Sequence, residues 1–327
     1  MRRSLLVVTS VIAVLIVGAV VYGDLRSPER APLDAAARAG APGRFVALPH
    51  GITHYDLAGP DSGRVVVLVH GFSVPYYIWD STTAGLTRAG YRVLRYDLYG
   101  RGLSDRPDVR YDGALYDDQL AALLDSLRIT GPIDLAGVSF GGLVTAHFTT
   151  THPGRVRTLT LIDPAAGRVE LPWTLRAPVI GTWAWKTFHE PRLPEGQMTD
   201  FLHPENHPTW VDRYRPQMRY RGFGRALLSS MKAMGRTNHD SLYARVERTG
   251  TPVLLVWGRQ DRTVPFRFSE DVRRDIPSAE FFPVDSAGHV SMIEQAAAVD
   301  ARMTSFLEAH PGDAAEHARQ LEHDVDE

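Results

Sequence analysis

The chain contains no cysteine, which removes disulfides, a thiolate nucleophile and thiolate metal sites together. Such a chain tolerates an oxidising exterior without mispairing, although this leaves the compartment open. Lysine occurs only at Lys186 and Lys232, so arginine carries nearly all the positive charge. Neither sign is in excess: 36 basic against 38 acidic residues give a formal net charge of −2. Without a basic stripe there is no electrostatic footprint for nucleic acid. No internal repeat is apparent. What is present is a globular balance, with 327 residues, 44% hydrophobic and 23% charged, enough for one large α/β domain or two smaller ones.

Charge is also missing from one long stretch. Arg2 and Arg3 precede Leu5 to Tyr22, 18 residues with only Thr9 and Ser10 as polar members. That length is near the lower limit for crossing a bilayer and exceeds most signal-peptide cores. Residues 1–23 are therefore expected to be an uncleaved anchor. A signal cleaved near Val21-Tyr22-Gly23 and a buried soluble helix are the alternatives; Val21 and Tyr22 crowd the cleavage site. The paired arginines should stay cytoplasmic, placing the rest outside the cytoplasm, at the cell membrane or secreted if cleavage occurs.

Residues 24–43 are rich in Ala, Pro and Arg and read as a linker. Phe45–Leu48 and Ile52–Leu57, flanking Pro49-His50-Gly51, predict a β-hairpin. Further strands are expected at Val65–Val69, Tyr91–Tyr96, Ile133–Val138, Thr158–Ile162, Pro252–Trp257 and Phe281–Val284. Helical patterns lie between them, as at Leu115–Leu127, where Leu120, Leu123, Leu124 and Leu127 share a face. This order predicts an α/β fold: a mostly parallel, roughly eight-stranded sheet with helices on both faces. Between Asp163 and Gly250 no strand is convincing for over eighty residues, so an inserted helical cap is expected at 166–248. The core is then 44–165 with 249–309, followed by an acidic tail at 310–327.

The chemistry gathers at strand ends, where open parallel sheets bind ligands. Gly137-Val138-Ser139-Phe140-Gly141 joins a strand to a helix as a Gly-x-Ser-x-Gly turn. In such a turn the serine backbone is strained and flanking side chains would collide, so glycines stand on either side. A serine hydroxyl needs a base to take its proton. His289, in Gly288-His289 after the last predicted strand, is the expected base, and Asp261 the acid that fixes its tautomer. The N–H groups of Phe72 and Phe140 are the natural oxyanion donors.

The set His70-Gly71-Phe72, Asp97 to Ser104, Gly137 to Gly141, Gly258 to Pro265 and Gly288-His289 resembles the α/β-hydrolase fold family. Within it, the chain is most similar to capped serine esterases and monoacylglycerol-lipase-like hydrolases. The resemblance covers about residues 44–308 and implies a serine hydrolase of carboxylic esters; the membrane segment and the aromatic cap favour an apolar acyl group. It implies no cofactor and no metal. A serine at 139 sets the chain apart from epoxide hydrolases and haloalkane dehalogenases, which need aspartate there. The implied partners are a small-molecule ester and, through residues 5–22, the lipid bilayer.

Alternatives stand beside these assignments. A C–C bond hydrolase of the same fold uses a similar triad and cap. A non-catalytic, membrane-tethered binding protein is the reading of another class, although degenerate scaffolds usually lose a triad member and none is missing here. Asp163, ending the sixth strand, is a second candidate acid; Asp285 reads as a turn residue. His70 reads as structural, and Asp97 to Ser104 as a turn near the site. His203-Pro204-Glu205-Asn206-His207 resembles a metal cluster only superficially, because Pro204 and Pro208 oppose the helix such ligands need. Trp173, Trp183, Trp185 and Phe188 fit an acyl pocket, a lipid contact or simple packing of cap on core.

Overall fold

The computed structural model describes residues 2–312. α1 (Arg2–Arg26) leads to the short α2 (Ala35–Arg38), capped by Asp34, whose carboxylate accepts the Ala37 N–H at 2.9 Å. β1 (Arg44–Leu48) and β2 (Gly51–Ala58) form the expected hairpin. β3 (Val65–Val69), α3 (Asp80–Arg88), β4 (Arg92–Tyr96), α4 (Gly113–Ser126), β5 (Ile133–Val138), α5 (Phe140–Thr151) and β6 (Val156–Ile162) follow. Six helices come next: α6 (Trp173–Arg176), α7 (Pro178–Ala184), α8 (Leu193–Gly196), α9 (Trp210–Tyr214), α10 (Phe223–Met234) and α11 (His239–Glu247). β7 (Val253–Gly258), α12 (Phe268–Asp275), β8 (Glu280–Val284), α13 (Ser291–Glu294) and α14 (Ala296–Ala309) complete the described chain.

The strands form one eight-stranded sheet in the order β1-β2-β4-β3-β5-β6-β7-β8. β1, β2 and β4 pair antiparallel, and all other pairs are parallel. Alternation sends side chains to two faces. Val67, Val69, Leu135, Leu161 and Leu255 pack beneath α4, α5 and α12, while Val66, Leu68, Val138, Leu254 and Val256 pack against α3, α14 and part of the cap. The central strands are buried on both faces, which explains their unbroken apolar runs. Register sets the site: Val69 lies opposite Gly137, Val138 opposite Ile162, and Gly258 opposite Val284. The strand ends bearing His70, Ser139, Asp163, Asp261 and His289 therefore come out along one edge.

Strand limits differ from expectation by a residue or two. β7 starts at Val253 because Pro252 has no N–H to give a ladder. α11 packs on α5 instead of roofing the site: its Tyr243 hydroxyl donates to the Ala165 carbonyl at 2.7 Å, and Leu242 and Val246 join the main core.

The segment read as a linker is held down along its length. Arg38 pairs with Asp105 at 2.5 Å, and Arg30 and Ala31 N–H groups both bond the Arg219 carbonyl. The Glu29 carboxylate accepts the Gly222 and Gly224 N–H groups at the start of α10. These side-chain pairings cross the fold, so local composition does not announce them. Residues 313–327, most of the expected acidic tail, lie outside the described residues.

Candidate active site

Ser139 sits between β5 and α5 at φ 54° and ψ −120°, a strained conformation for a residue with a Cβ. Its N–H bonds the Ile162 carbonyl at 3.0 Å, and its carbonyl accepts from Gly142 and Ala165. The glycines are required by close approach. A Cβ on Gly137 would strike the Gly141 carbonyl, and one on Gly141 would strike the Val69 and His70 carbonyls. Gly71 places the loop after β3 beside the serine without such a clash: a Cβ there would lie in ordinary contact, 3.4 Å from Ser139 Cβ.

His289 lies in the loop after β8, where its Nδ1 meets Asp261 Oδ2 at 2.7 Å. The other Asp261 oxygen accepts the Thr263 and Val264 N–H groups at 2.8 and 2.9 Å, fixing the carboxylate in its turn. Burial works to lower the His289 pKa, but the charge and hydrogen bond of Asp261 outweigh it and hold the imidazole up, at about 9. Asp200 and Asp163 add to that pull. The Ser139 hydroxyl and His289 Nε2 remain free of hydrogen-bond partners among the described residues. Both line one cavity of about 390 Å³.

Asp163 is buried behind the pair and does not bond His289. It accepts the Gly258 N–H at 2.6 Å and bonds Ser291 Oγ at 2.6 Å. Desolvation first, then the charge of Asp261, push its pKa up to about 8. Of the two acids weighed from sequence, Asp261 alone touches the histidine.

The N–H of Phe140 is the first of α5 and has no helical acceptor. That of Phe72 is equally unpartnered among the described residues, and the two rings meet edge-on at 6.2 Å. Arg101 braces this loop from below. Its fully buried guanidinium donates to the Phe72 carbonyl at 2.8 Å, to Tyr99 and Tyr116, and to Ser230 Oγ of α10 at 2.9 Å. His70 is structural, as expected: Nδ1 donates to the Gly71 carbonyl and Nε2 accepts the Leu98 N–H. Burial lowers its pKa to about 4, which keeps it neutral. Asp97 accepts from His54, Tyr76 and Leu103, so the Asp97–Ser104 turn holds scaffold rather than substrate.

The cap lines one side of the cavity. Phe72, Ile78, Trp185, Leu193, Met231 and Val290 make its walls apolar. Phe188 lies at its rim, whereas Trp173 is exposed and Trp183 packs on α1. His203 pairs with Glu205 at 3.1 Å on the surface, and His207 stacks on Phe201.

Two residues were missed from sequence. Asp200, in the cap, lines the cavity, accepts the His289 N–H on its carbonyl at 2.8 Å, and takes the Thr263 hydroxyl on its carboxylate at 2.6 Å. Glu294 binds the Gly288 N–H with one oxygen and the Leu202 and His203 N–H groups with the other. No motif marks either residue.

A mostly parallel sheet whose fifth strand ends in a strained serine elbow under a helical cap is the architecture of an α/β hydrolase. The chain belongs to the alpha/beta hydrolase family, whose profile matches residues 66–302. Among curated relatives it is similar to the cis-3-alkyl-4-alkyloxetan-2-one decarboxylase of Xanthomonas campestris, 27% identical over 77% of this chain and 91% of that one. It is also similar to the pimeloyl-[acyl-carrier protein] methyl ester esterase of Neisseria meningitidis, 29% identical over 76% and 95%. Among solved structures, the enol-lactonase of Burkholderia xenovorans superposes with a TM-score of 0.70 at 22% identity, covering 81% of this chain and all of that one.

Proposed function

We propose that this protein is a serine-dependent carboxylic ester hydrolase. The observation that carries the reading is the 2.7 Å Asp261–His289 hydrogen bond opening onto the cavity that exposes Ser139. In the proposed mechanism His289 Nε2 removes the Ser139 proton as Oγ attacks the ester carbonyl carbon. Asp261 holds the other imidazole nitrogen protonated and stabilises the imidazolium that forms. The Phe72 and Phe140 N–H groups receive the tetrahedral oxyanion. The intermediate collapses with cleavage of the acyl C–O bond, and His289 gives its proton to the departing alcohol. Water, deprotonated by His289, then attacks the acyl-enzyme and releases the acid.

The apolar walls favour an apolar acyl group, and the methyl ester esterase named among the relatives acts on the same bond class. Labelling of Ser139 by a fluorophosphonate, abolished in Ser139→Ala, tests the nucleophile. Turnover of a ring-cleavage diketone well above that of p-nitrophenyl esters would replace ester hydrolysis by C–C hydrolysis on the same residues.

We also propose that α1 anchors the protein in the membrane. Support comes from its long uncharged stretch and from Val7, Val14, Val17 and Leu25, each more than half exposed. Resistance to alkaline carbonate extraction is the expected behaviour. A mature N-terminus near Asp24 would make it a cleaved signal instead.

A further inference from the structure

Outside α1, the exposed large apolar side chains among the described residues are Val109, Trp173, Val179, Ile180 and Phe188. All but the first fall in one short piece of the cap. Isolated exposed apolar residues are ordinary, but such a concentration marks a surface that meets something apolar. The same piece is fastened to α1. The Trp183 indole donates to the Ala19 carbonyl at 2.8 Å, Lys186 pairs with Asp24 at 2.7 Å, and Trp183 meets Phe188 edge-on at 5.4 Å.

The length of the apolar stretch fixes its height. Leu5 to Tyr22 rises about 27 Å at about 1.5 Å per residue, against a hydrocarbon core of about 30 Å. There is no slack, so Ala19, three residues and about 4.5 Å before Tyr22, must lie just inside the boundary between acyl chains and headgroups. Trp183, bonded to it, lies there too, the level at which tryptophan concentrates.

Beside this apolar piece is a basic hollow. Arg168, Arg176, Lys232 and Arg236 line a cavity of about 410 Å³ whose lining includes one acid, Glu170. None of the four cations makes an ion pair among the described residues. Leu171 and Arg176, on either side of Trp173, both belong to the lining, so hollow and apolar patch adjoin. Burial and the neighbouring Arg236 lower the Lys232 pKa, a cost that an arriving anion would relieve.

We propose that this cap face lies on the bilayer, with Trp173, Val179, Ile180 and Phe188 dipped among acyl chains and the basic hollow holding anionic headgroups. Phe188 belongs both to the patch and to the rim of the Ser139 cavity. The cavity therefore opens at the acyl–headgroup boundary and takes long-chain esters from the lipid phase. This rests on the reading of α1 as a span, and the test separates the two.

The full chain is reconstituted in phosphatidylglycerol or phosphatidylcholine vesicles carrying brominated acyl chains. Tryptophan quenching is expected, and Trp173→Phe should remove part of it. Resistance to carbonate without quenching at Trp173 overturns the docked cap and keeps the span; release by carbonate overturns the span itself. Reversing Arg168, Arg176, Lys232 and Arg236 to Glu should lower hydrolysis of a vesicle-borne long-chain ester at least about tenfold in phosphatidylglycerol. Hydrolysis of a soluble short-chain ester should be unchanged. An equal loss on both substrates overturns the proposal, as does inhibition of the wild-type rate by millimolar inorganic phosphate as strong as the charge reversal. The proposal also fails if deleting residues 313–327, rather than changing the headgroup, sets the rate, since the acidic tail would then be the occupant.

Discussion

The backbone carbonyl of Asp200 accepts the N–H of His289 at 2.8 Å, across the boundary between cap and core. The Asp200 carboxylate meanwhile holds Thr263, two residues from Asp261. One cap residue thus touches both loops of the histidine–acid pair. Its carboxylate is also among the charges that raise the His289 pKa.

Activity should rise with pH through the titration of His289, because only the neutral imidazole can accept the serine proton. With His289 held up at about 9, kcat/KM should still be climbing above neutrality. Asp200→Asn keeps the backbone bond but removes one negative charge, so the midpoint of that climb should move to lower pH. A profile of kcat/KM against pH for both proteins checks it. An unchanged midpoint would show that Asp200 has no electrostatic hold on the base.

The acid can be assigned by substitution. Asp261→Asn should lower kcat about 10⁴-fold, because the amide stabilises the wrong imidazole tautomer. Asp163→Asn should cost little: the carboxyl pKa is already pushed up to about 8, and its partners are Gly258 and Ser291. Ser139→Ala and His289→Ala should each cost on the order of 10⁶, since the three groups act as a unit. Near-full activity in Asp261→Asn with loss in Asp163→Asn would reverse the assignment.

Legibility in the sequence tracked how local the cause was. The β-branched run Val65–Val69 and the pentapeptide around Ser139 announce a buried strand and a strained turn, because sterics within a few residues dictate both. Asp261 and His289 could be paired because strand order places their loops side by side. Asp200 carries no such mark: it reaches the site through a proline-broken cap, whose register depends on contacts with Thr263 and His289 far along the chain. Arg101 lay inside a motif that reads as a turn. Its function as a brace appears only once Phe72 and Ser230 are brought to it from opposite sides.

That brace gives a further expectation. Arg101→Lys keeps a charge but lacks the planar fork that reaches Phe72, Tyr99, Tyr116 and Ser230 together. The Phe72 loop should loosen, lowering kcat by about 10- to 100-fold through a misplaced oxyanion donor. KM should change little, because the cavity walls stay in place. Steady-state kinetics on one soluble ester separates this from a folding defect, which would reduce active enzyme as titrated by fluorophosphonate.

Stability should carry its own pH signature at Glu190. This fully buried carboxyl accepts from Ser27 at 3.2 Å, and its other oxygen has no hydrogen-bond partner among the described residues. Burial first, then the charge of Glu29, push its pKa from 4.5 up to about 8. Between those values the folded protein keeps a proton that the unfolded chain releases, so stability falls as pH rises through the window and levels off above it. Glu190→Gln stays neutral at every pH and can still meet Ser27. The variant should match the wild type near pH 4.5 and melt several degrees higher at pH 9, with a flatter dependence between. Thermal melts of both full-length proteins in one detergent across that range decide it. Parallel curves would mean that the segment holding Ser27 and Glu29 leaves Glu190 open to water in solution.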